Sequence, residues 1–304
     1  MTTEQKQKPC ELVRDIYAAR SAAGKPVISF EFFPPKTEEG DRNLLERTIP
    51  ALLQAKPDFC SVTYGAGGST REKTLMIVDR IQRQHGLTAV AHLTCVCATR
   101  EEIRNLLEQI RSLGVRNVLA LRGDPPGGGD FKVTPGGFEF SNQLVEFIRQ
   151  FDHFSIGVAG FPEGHIACRE GKYVDWQHLK SKIDAGADFV LSQLFFDNSD
   201  FYHFREHLTQ KLNVRVPLVP GIIPILSGSQ IKKFTALCGA RIPGPLAARL
   251  DELGEDDAAA AEFGIEYASR QCVDLLKNGA PGLHFYTLNK SNSTVRVLKN
   301  LGLS

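Results

Sequence analysis

The chain is organised around the segment ISFEFFPP at residues 28–35. Residues 27–33 are mostly β-branched or aromatic, which favours a strand, and the two prolines end it because proline cannot donate a hydrogen bond to a ladder. Glu31 is the exception in this apolar run. A carboxylate here either points away from the core or has a raised pKa, because burial disfavours its charged form. The segment alone leaves both alternatives open.

The composition limits the class of protein. The chain has 304 residues, of which 42% are hydrophobic and 23% charged, and its formal net charge is +1. This balance predicts an ordinary soluble chain with one large core. It gives no electrostatic indication of nucleic-acid or membrane-surface binding, and no apolar run approaches the roughly 20 residues of a membrane span.

The amino terminus and the cysteines indicate a cytoplasmic protein. The first residues are polar and lack the apolar core of a secretion signal, and residues 1–10 are expected to be disordered. Seven scattered cysteines, an odd number, suit reduced thiols rather than a disulfide framework. Cys95 and Cys97 have the wrong spacing for a zinc knuckle, so we expect no metal site.

Strand-like segments alternate with helix-like segments along the chain. The strands are predicted at residues 27–33, 59–63, 88–94, 117–121, 155–159, 189–193, 216–219 and 282–286. Thr99 and Glu102 have the spacing of a capping box at the start of a helix. The strand at 216–219 is expected to stop at Pro220-Gly221.

This alternation predicts the α/β class, with residues 1–304 forming a single closed (β/α)8 TIM barrel domain. An extra helix at residues 11–23 precedes the first strand, and additional helices lie between strands seven and eight. An open doubly wound sheet is the rival fold. It is disfavoured because no G-x-G-x-x-G turn follows any of the first six strands.

Polar residues follow the carboxyl ends of the predicted strands, where a barrel of this kind carries its active site. They are Glu31, Thr63, Tyr64, His92, Thr94, Arg122, Asp124, Glu163, His165, Gln193, Asn289 and Lys290. Each alone has a plain structural explanation, such as a hydrogen-bonded core histidine. Their convergence, without a serine-hydrolase, zinc-protease or phosphate-loop motif, favours an organic cofactor and proton-coupled chemistry.

A set of motifs occurs in order between about residues 27 and 290. They are FEFFPP at 30–35, VTYGA at 62–66, HLTC at 92–95, LRGDP at 121–125, DAGAD at 184–188, QLFF at 193–196, PGI at 220–222 and HFYTLN at 284–289. Together they resemble the methylenetetrahydrofolate reductase family, in its short bacterial form that consists of the catalytic barrel alone.

The resemblance implies an FAD-containing oxidoreductase of one-carbon metabolism and methionine biosynthesis. It would use NADH or NADPH to reduce 5,10-methylenetetrahydrofolate to 5-methyltetrahydrofolate by a ping-pong mechanism, as a homo-oligomer. Glu31 would be the general acid that protonates the folate nitrogen, a role that suits a carboxylic acid kept protonated by aromatic neighbours. Two other hypotheses stay open: a flavin-free folate-barrel transferase and a noncatalytic folate-binding barrel.

The resemblance also implies a set of site residues. Glu31 and Asp124 would be catalytic. FAD would be held by Tyr64, Ala66, His92, Arg122, Gly123, Asp124, Ser141, His165, Cys168, Asp175, His178 and Lys182. The nicotinamide would contact Thr63, Gln193 and Phe234, and the folate would contact Asp124, Gln193, Gln230, Phe234 and Lys290. The chain departs from the family pattern at Lys290, Phe161 and Ser181.

Overall fold

The computed structural model describes residues 10–64, 70–127, 129 and 131–303. Within them, eight parallel strands form a closed barrel, in which β8 pairs with β1. The strands are β1 Val27–Phe32, β2 Phe59–Val62, β3 Thr88–Thr94, β4 Asn117–Leu121, β5 Ser155–Gly160, β6 Phe189–Leu194, β7 Leu218–Ile222 and β8 Gly282–Tyr286. The predicted (β/α)8 barrel is confirmed. The expected disorder of residues 1–10 falls, except for Cys10, outside the described residues.

Helices connect the strands around the barrel. They are α1 Val13–Ala22, α2 Glu38–Asn43, α3 Ile49–Leu53, α4 Arg71–His85, α5 Arg100–Ser112, α6 Ser141–Arg149, α7 Lys172–Asp184, α8 Asn198–Glu206, α9 Gly228–Cys238, α10 Gly244–Leu253, α11 Asp257–Lys277 and α12 Asn292–Asn300. The extra helix α1 and the additional helices between β7 and β8 are confirmed. None of the described helices has the length and apolarity needed to cross a lipid bilayer.

The position of β7 differs from the prediction. Pro220 and Gly221 lie inside this strand rather than after it, at a shift in the pairing register between β6 and β7. Proline is tolerated at such irregularities because a ladder hydrogen bond is already missing there. A Cβ atom on Gly221 would lie 2.2 Å from the Ser192 carbonyl oxygen and 2.6 Å from the Tyr286 ring, so only glycine permits this close packing.

The amino-terminal end of the barrel is closed by α1. Val13, Ile16 and Tyr17 pack on an interior layer formed by Phe59, Val90, Leu119, Phe189, Leu191 and Val219. Asn117 fixes the start of this helix: its Oδ1 accepts from the Val13 N–H at 2.8 Å, and its Nδ2 donates to the Glu11 carbonyl at 2.9 Å. The opposite, carboxyl-terminal end of the barrel is here called the mouth.

Asn117→Ala is expected to lower the free energy of unfolding by about 2–4 kcal/mol, because two backbone groups lose a buried hydrogen-bond partner. Urea denaturation followed by circular dichroism measures the change. Asn292→Ala, an exposed position at the start of α12, is the matched control and should change stability by less than about 0.5 kcal/mol. Equal midpoints for the two variants would contradict the role given to Asn117.

Candidate active site

Strand alternation places Glu31 inside the barrel. Phe30 and Phe32 point outward and pack on the surrounding helices, whereas Glu31 and Ser29 lie on the inner face. Only 6% of Glu31 is exposed. The hypothesis that this carboxylate points away from the core is therefore wrong.

The Glu31 carboxylate is surrounded by polar side chains from three other strands. Ser61 Oγ donates to its Oε2 at 3.3 Å, and Nε2 of His92 and of His284 lie 3.3 and 3.5 Å from the same oxygen. Ser29 Oγ lies 2.8 Å from His284 Nδ1. We call these five residues the acid–histidine cluster.

The pKa of Glu31 differs from the expected one. Burial alone would raise the pKa of Glu31. The hydrogen bond with His284 and the close contact with His92 lower it by a larger amount, so the pKa falls from an ordinary value of 4.5 to about 2. Expecting a carboxylic acid kept protonated by aromatic neighbours was wrong, because the phenylalanines occupy the other face of the strand. Ionised Glu31 therefore stabilises the fold above about pH 4.5, and this contribution is lost as the pH falls through about 2.

The segment after β8 fixes the end of β1. Thr287 Oγ1 donates to the Glu31 carbonyl at 2.7 Å. Asn289 bonds both backbone groups of Phe33, with Oδ1 accepting from its N–H at 3.0 Å and Nδ2 donating to its carbonyl at 2.7 Å. Leu288 and Asn289 adopt left-handed φ angles of 50° and 57°, which turn the chain back toward β1. This clamp, formed by Thr287 and Asn289, sets the backbone that carries Glu31.

Three polar atoms at the ends of β2 and β3 are enclosed and lack a hydrogen-bond partner among the described residues. They are Tyr64 Oη, His92 Nε2 and Thr94 Oγ1. The approach of His92 Nε2 to Glu31 is close but not aligned as a hydrogen bond, so it is an electrostatic contact. Leaving such groups unpaired costs about 1–3 kcal/mol each. A ligand with hydrogen-bonding groups would satisfy them.

A group of ionisable side chains lies beside the loop after β4. Burial lowers the pKa of Lys182 to about 8, with Asp175 opposing and Arg122 adding to the shift. Burial also lowers the pKa of His165, on which the charges of Asp175, Arg122, Lys182 and Asp124 act as well. Arg122, His165 and Lys182, here called the basic cluster, lie near the carboxylates of Asp175 and Asp124. The guanidinium of Arg122 and the amine of Lys182 could pair with an anionic group such as a diphosphate.

Gly123 allows the loop after β4 to pack closely against the end of β3. Its φ angle is +85°, and a Cβ atom there would lie 2.6 Å from Val96 Cγ1 and 2.9 Å from Thr94 Cβ. Both the backbone conformation and the close approach require glycine. The exposed Asp124 follows it directly.

The other predicted residues occupy several elements. Thr63 is buried and follows β2, and Gln193 is half-buried in β6, where its Oε1 accepts from the Leu194 N–H. Ser141 begins α6, Gln230 and Phe234 lie on α9, and Lys290 is exposed after β8. Among the described residues, no hydrogen bond or ion pair joins Gln230, Phe234 or Lys290 to Glu31. Ala66 lies outside the described residues.

Cys168, Asp175 and His178 form a further group. Their ligand atoms lie within 4.8 Å of one another, a spacing that a divalent ion such as Zn²⁺ also fits. The expectation that the chain has no metal site therefore stays a prediction. Phe161 packs edge-on against His165 with ring centroids 4.5 Å apart, and Ser181 donates to the Gln177 carbonyl of its own helix.

His284, like Ser29 and Ser61, is a member of the acid–histidine cluster to which the sequence alone assigned no role. It is fully buried in β8 and pairs in register with Ser29 of β1. A signal for it existed, since His284 and Tyr286 alternate with apolar neighbours in the predicted strand and so share its polar face. Without knowing the register between the paired strands β8 and β1, we could not match that face to Glu31.

The fold and the site define a class: a (β/α)8 barrel with a buried carboxylate at its mouth and groups suited to a large anionic ligand. The family model described as methylenetetrahydrofolate reductase matches residues 16–302. The chain belongs to the methylenetetrahydrofolate reductase family.

Individual relatives agree with this assignment. The chain is 43% identical over 291 residues to "Methylenetetrahydrofolate reductase (NADH) 1" of Arabidopsis thaliana, covering 92% of this chain and 49% of that protein. It is 35% identical over 281 residues to the 5,10-methylenetetrahydrofolate reductase of Escherichia coli (strain K12), covering 92% of each. The chain thus spans about half the length of the plant relatives that it matches.

A solved structure from Clostridium thermocellum has the same fold. Its TM-score is 0.66 at 14% sequence identity, and the match covers 95% of this chain and 97% of that one. That protein binds two copies of 5-methyl-5,6,7,8-tetrahydrofolic acid. At this identity, the similarity concerns the fold alone.

Proposed function

We propose that this protein is a flavin-dependent oxidoreductase that reduces 5,10-methylenetetrahydrofolate to 5-methyltetrahydrofolate by a ping-pong mechanism, with NADH or NADPH as donor. The observation that carries the proposal is the buried Glu31 carboxylate at the mouth of a barrel of this family. The names of the Arabidopsis and maize relatives specify NADH, which favours that donor. The barrel would act as a single catalytic domain in a cytoplasmic homo-oligomer.

The residues at the mouth fit an FAD. Tyr64, His92 and Thr94 offer unpaired polar atoms, and the basic cluster offers positive charge for the diphosphate. The remaining members of the FAD set predicted from the resemblance, including Ser141, Cys168, Asp175 and His178, would contribute from α6, α7 and the loop before α7. A bound FAD would supply the hydride transfer in both half-reactions.

The chain's own groups would prepare the folate for reduction. Glu31, which is ionised in the free site, would take up a proton and deliver it to the folate nitrogen whose loss opens the five-membered ring. Asp124 and Gln193 would orient the pterin by hydrogen bonds. Phe234 would stack on the bound ring system beside Gln230. Lys290 would attract the carboxylates of the folate tail as a point charge rather than as a bidentate fork.

The visible spectrum of the pure protein tests the proposal first. We expect a yellow protein whose flavin absorbance is bleached by NADH or NADPH without oxygen and is restored by 5,10-methylenetetrahydrofolate. A colourless protein that consumes no reduced nicotinamide would favour the transferase hypothesis. Folate binding without turnover would favour the noncatalytic barrel.

FAD affinity is expected to fall as the pH rises through about 8, the value to which burial lowers the pKa of Lys182. Only the protonated amine pairs with a diphosphate, so above that pH binding must take up a proton and Kd rises by up to about tenfold per pH unit. Fluorescence titration of apoprotein at several pH values measures this. Lys182→Met should remove the dependence. Lys180→Met should retain it, because Lys180 pairs with Asp184 instead.

A further inference from the structure

Three different metal-ligating groups meet at the start of α7: the Cys168 thiol, the Asp175 carboxylate and the His178 imidazole. Each offers one ligand atom, and these atoms all lie within 4.8 Å of one another. Cys168 and Asp175 are half-buried, whereas His178 is exposed. In the part of the chain that the structure describes, this is the only group of three or more such side chains close enough to share an ion.

The backbone places these side chains together. Asp175 and His178 are three residues apart on α7, so both project from the same face of the helix. Cys168 belongs to the turn before it, where its N–H donates to the His165 carbonyl at 2.8 Å and its carbonyl accepts from the Gly171 N–H at 3.1 Å. The Gly171 carbonyl accepts from the Asp175 N–H at 3.2 Å. Consecutive backbone hydrogen bonds therefore join the cysteine to the first turn of α7.

The combination of ligands favours Zn²⁺ over Mg²⁺ or Ca²⁺. Mg²⁺ and Ca²⁺ prefer oxygen ligands, whereas a thiolate together with an imidazole is typical of Zn²⁺. In a tetrahedral zinc site the ligand atoms lie about 3.3–3.6 Å apart, as bond lengths of about 2.0–2.3 Å require. The exposed His178 imidazole has no hydrogen-bond partner among the described residues, so its rotation would shorten the longer separations at little cost.

Glu170 offers a fourth ligand. It is exposed, and its Oε2 lies 3.7 Å from Cys168 Sγ. The carboxylates of Glu170 and Asp175 give the site two negative charges, which attract a divalent cation. When the ion binds, the S–H bond of Cys168 breaks, the sulfur shares its electron pair with Zn²⁺, and the proton passes to solvent. The step involves no change of oxidation state.

Asp175 connects this group with the basic cluster. Its negative charge acts on Lys182 and on His165 as well as on His178. Lys182 is held in place by a hydrogen bond from its Nζ to the Ala159 carbonyl at 2.8 Å. The carboxylate of Asp175 therefore lies between side chains that suit an anion and side chains that suit a cation.

We propose that Cys168, Asp175 and His178 form a Zn²⁺ site of the flavin-free protein, and that Zn²⁺ and FAD exclude each other. The exclusion rests on the proposed function, in which the same three side chains contact FAD. A cation held there would occupy their ligand atoms and draw Asp175 away from Lys182. Loading of the cofactor would then respond to free zinc, and the expectation of a chain without a metal site would be wrong.

Calorimetric titration of the flavin-free protein with zinc chloride tests the metal site. We expect one tightly bound Zn²⁺ per chain. Cys168→Ser and His178→Gln should each weaken its binding by at least about tenfold, because each removes a ligand. Cys97→Ser, at an exposed cysteine outside the group, is the matched control and should bind Zn²⁺ like the wild type. No binding, or equal binding by all four proteins as expected for an adventitious ion only, would overturn the proposal.

Co²⁺ in place of Zn²⁺ reports the ligands by absorbance. A thiolate ligand gives a charge-transfer band in the near ultraviolet, and tetrahedral coordination gives visible bands. Both should appear in the wild type and in Cys97→Ser, and the charge-transfer band should be absent from Cys168→Ser. A wild-type protein without this band would show that Cys168 is not a ligand. Circular dichroism of each variant shows that it is folded.

Fluorescence titration with FAD measures the exclusion. With free Zn²⁺ at ten times its own Kd, the apparent Kd of FAD should rise about elevenfold in the wild type, as competition for one site requires. The same zinc concentration should change the value in Cys168→Ser by at most about twofold. An unchanged FAD affinity in the wild type would overturn the exclusion. A wild-type protein that binds no FAD would instead contradict the proposed function, while the zinc titration still decides the metal site.

Discussion

Glu31→Gln is expected to abolish the reduction of 5,10-methylenetetrahydrofolate while leaving flavin reduction by the nicotinamide donor intact. Glutamine preserves the shape and the hydrogen bond from Ser61, but its amide cannot deliver a proton. The loss of a general acid should slow the folate half-reaction by about 10²–10⁴-fold. Anaerobic stopped-flow absorbance at the flavin band measures each half-reaction separately.

Glu163→Gln is the matched control for this substitution. Glu163 is a half-buried carboxylate after β5 that accepts from the Arg241 N–H, and it has no contact with the acid–histidine cluster. Both half-reactions should remain in this variant. If Glu31→Gln still oxidised its reduced flavin with folate at the wild-type rate, Glu31 would not be the proton donor.

Gly123→Ala is expected to weaken FAD binding by about 100-fold, which corresponds to roughly 3 kcal/mol. The added methyl group would collide with Val96 and Thr94 in a backbone conformation that alanine rarely adopts. The loop that carries Arg122 and Asp124 would then move away from the end of β3. Fluorescence titration of the apoprotein with FAD measures the change.

Gly127→Ala is the control that distinguishes the effect of backbone strain from the effect of a steric clash with β3. Gly127 lies in the same loop with a φ angle of +74°, but a Cβ atom there would meet nothing within 4 Å. This variant should lose up to about 1 kcal/mol of stability and keep its FAD affinity. Equal loss of affinity in both variants would show that strain, rather than contact with β3, explains the requirement for Gly123.

The fold could be predicted from the sequence because its signals are local. The capping box of Thr99 and Glu102 occurs at the start of α5, with both reciprocal hydrogen bonds formed, at 3.2 and 2.7 Å. β3, β4 and β8 begin and end at the predicted residues. The prediction was wrong at β7, because the close packing of Gly221 against β6 and β8 outweighs the local tendency of proline and glycine to end a strand.

The candidate site could be predicted only in part. The polar residues at the strand ends correctly indicated where Glu31 and His92 lie. The predicted pKa of Glu31 was wrong because the phenylalanines next to it in the sequence do not surround its side chain in the structure. Its partner His284 is 253 residues away, and only the closure of β8 on β1 brings the two together.

The clamp of Thr287 and Asn289 on β1 makes the candidate site depend on the order in which the strands are synthesised. The first and the last strands of the barrel meet at Glu31, so a nascent chain that lacks β8 cannot contain the complete acid–histidine cluster. A folding intermediate that lacks β8 would leave Glu31 without His284 and without the bonds that hold its backbone. The acid–histidine cluster should therefore be complete only once β8 has closed the barrel.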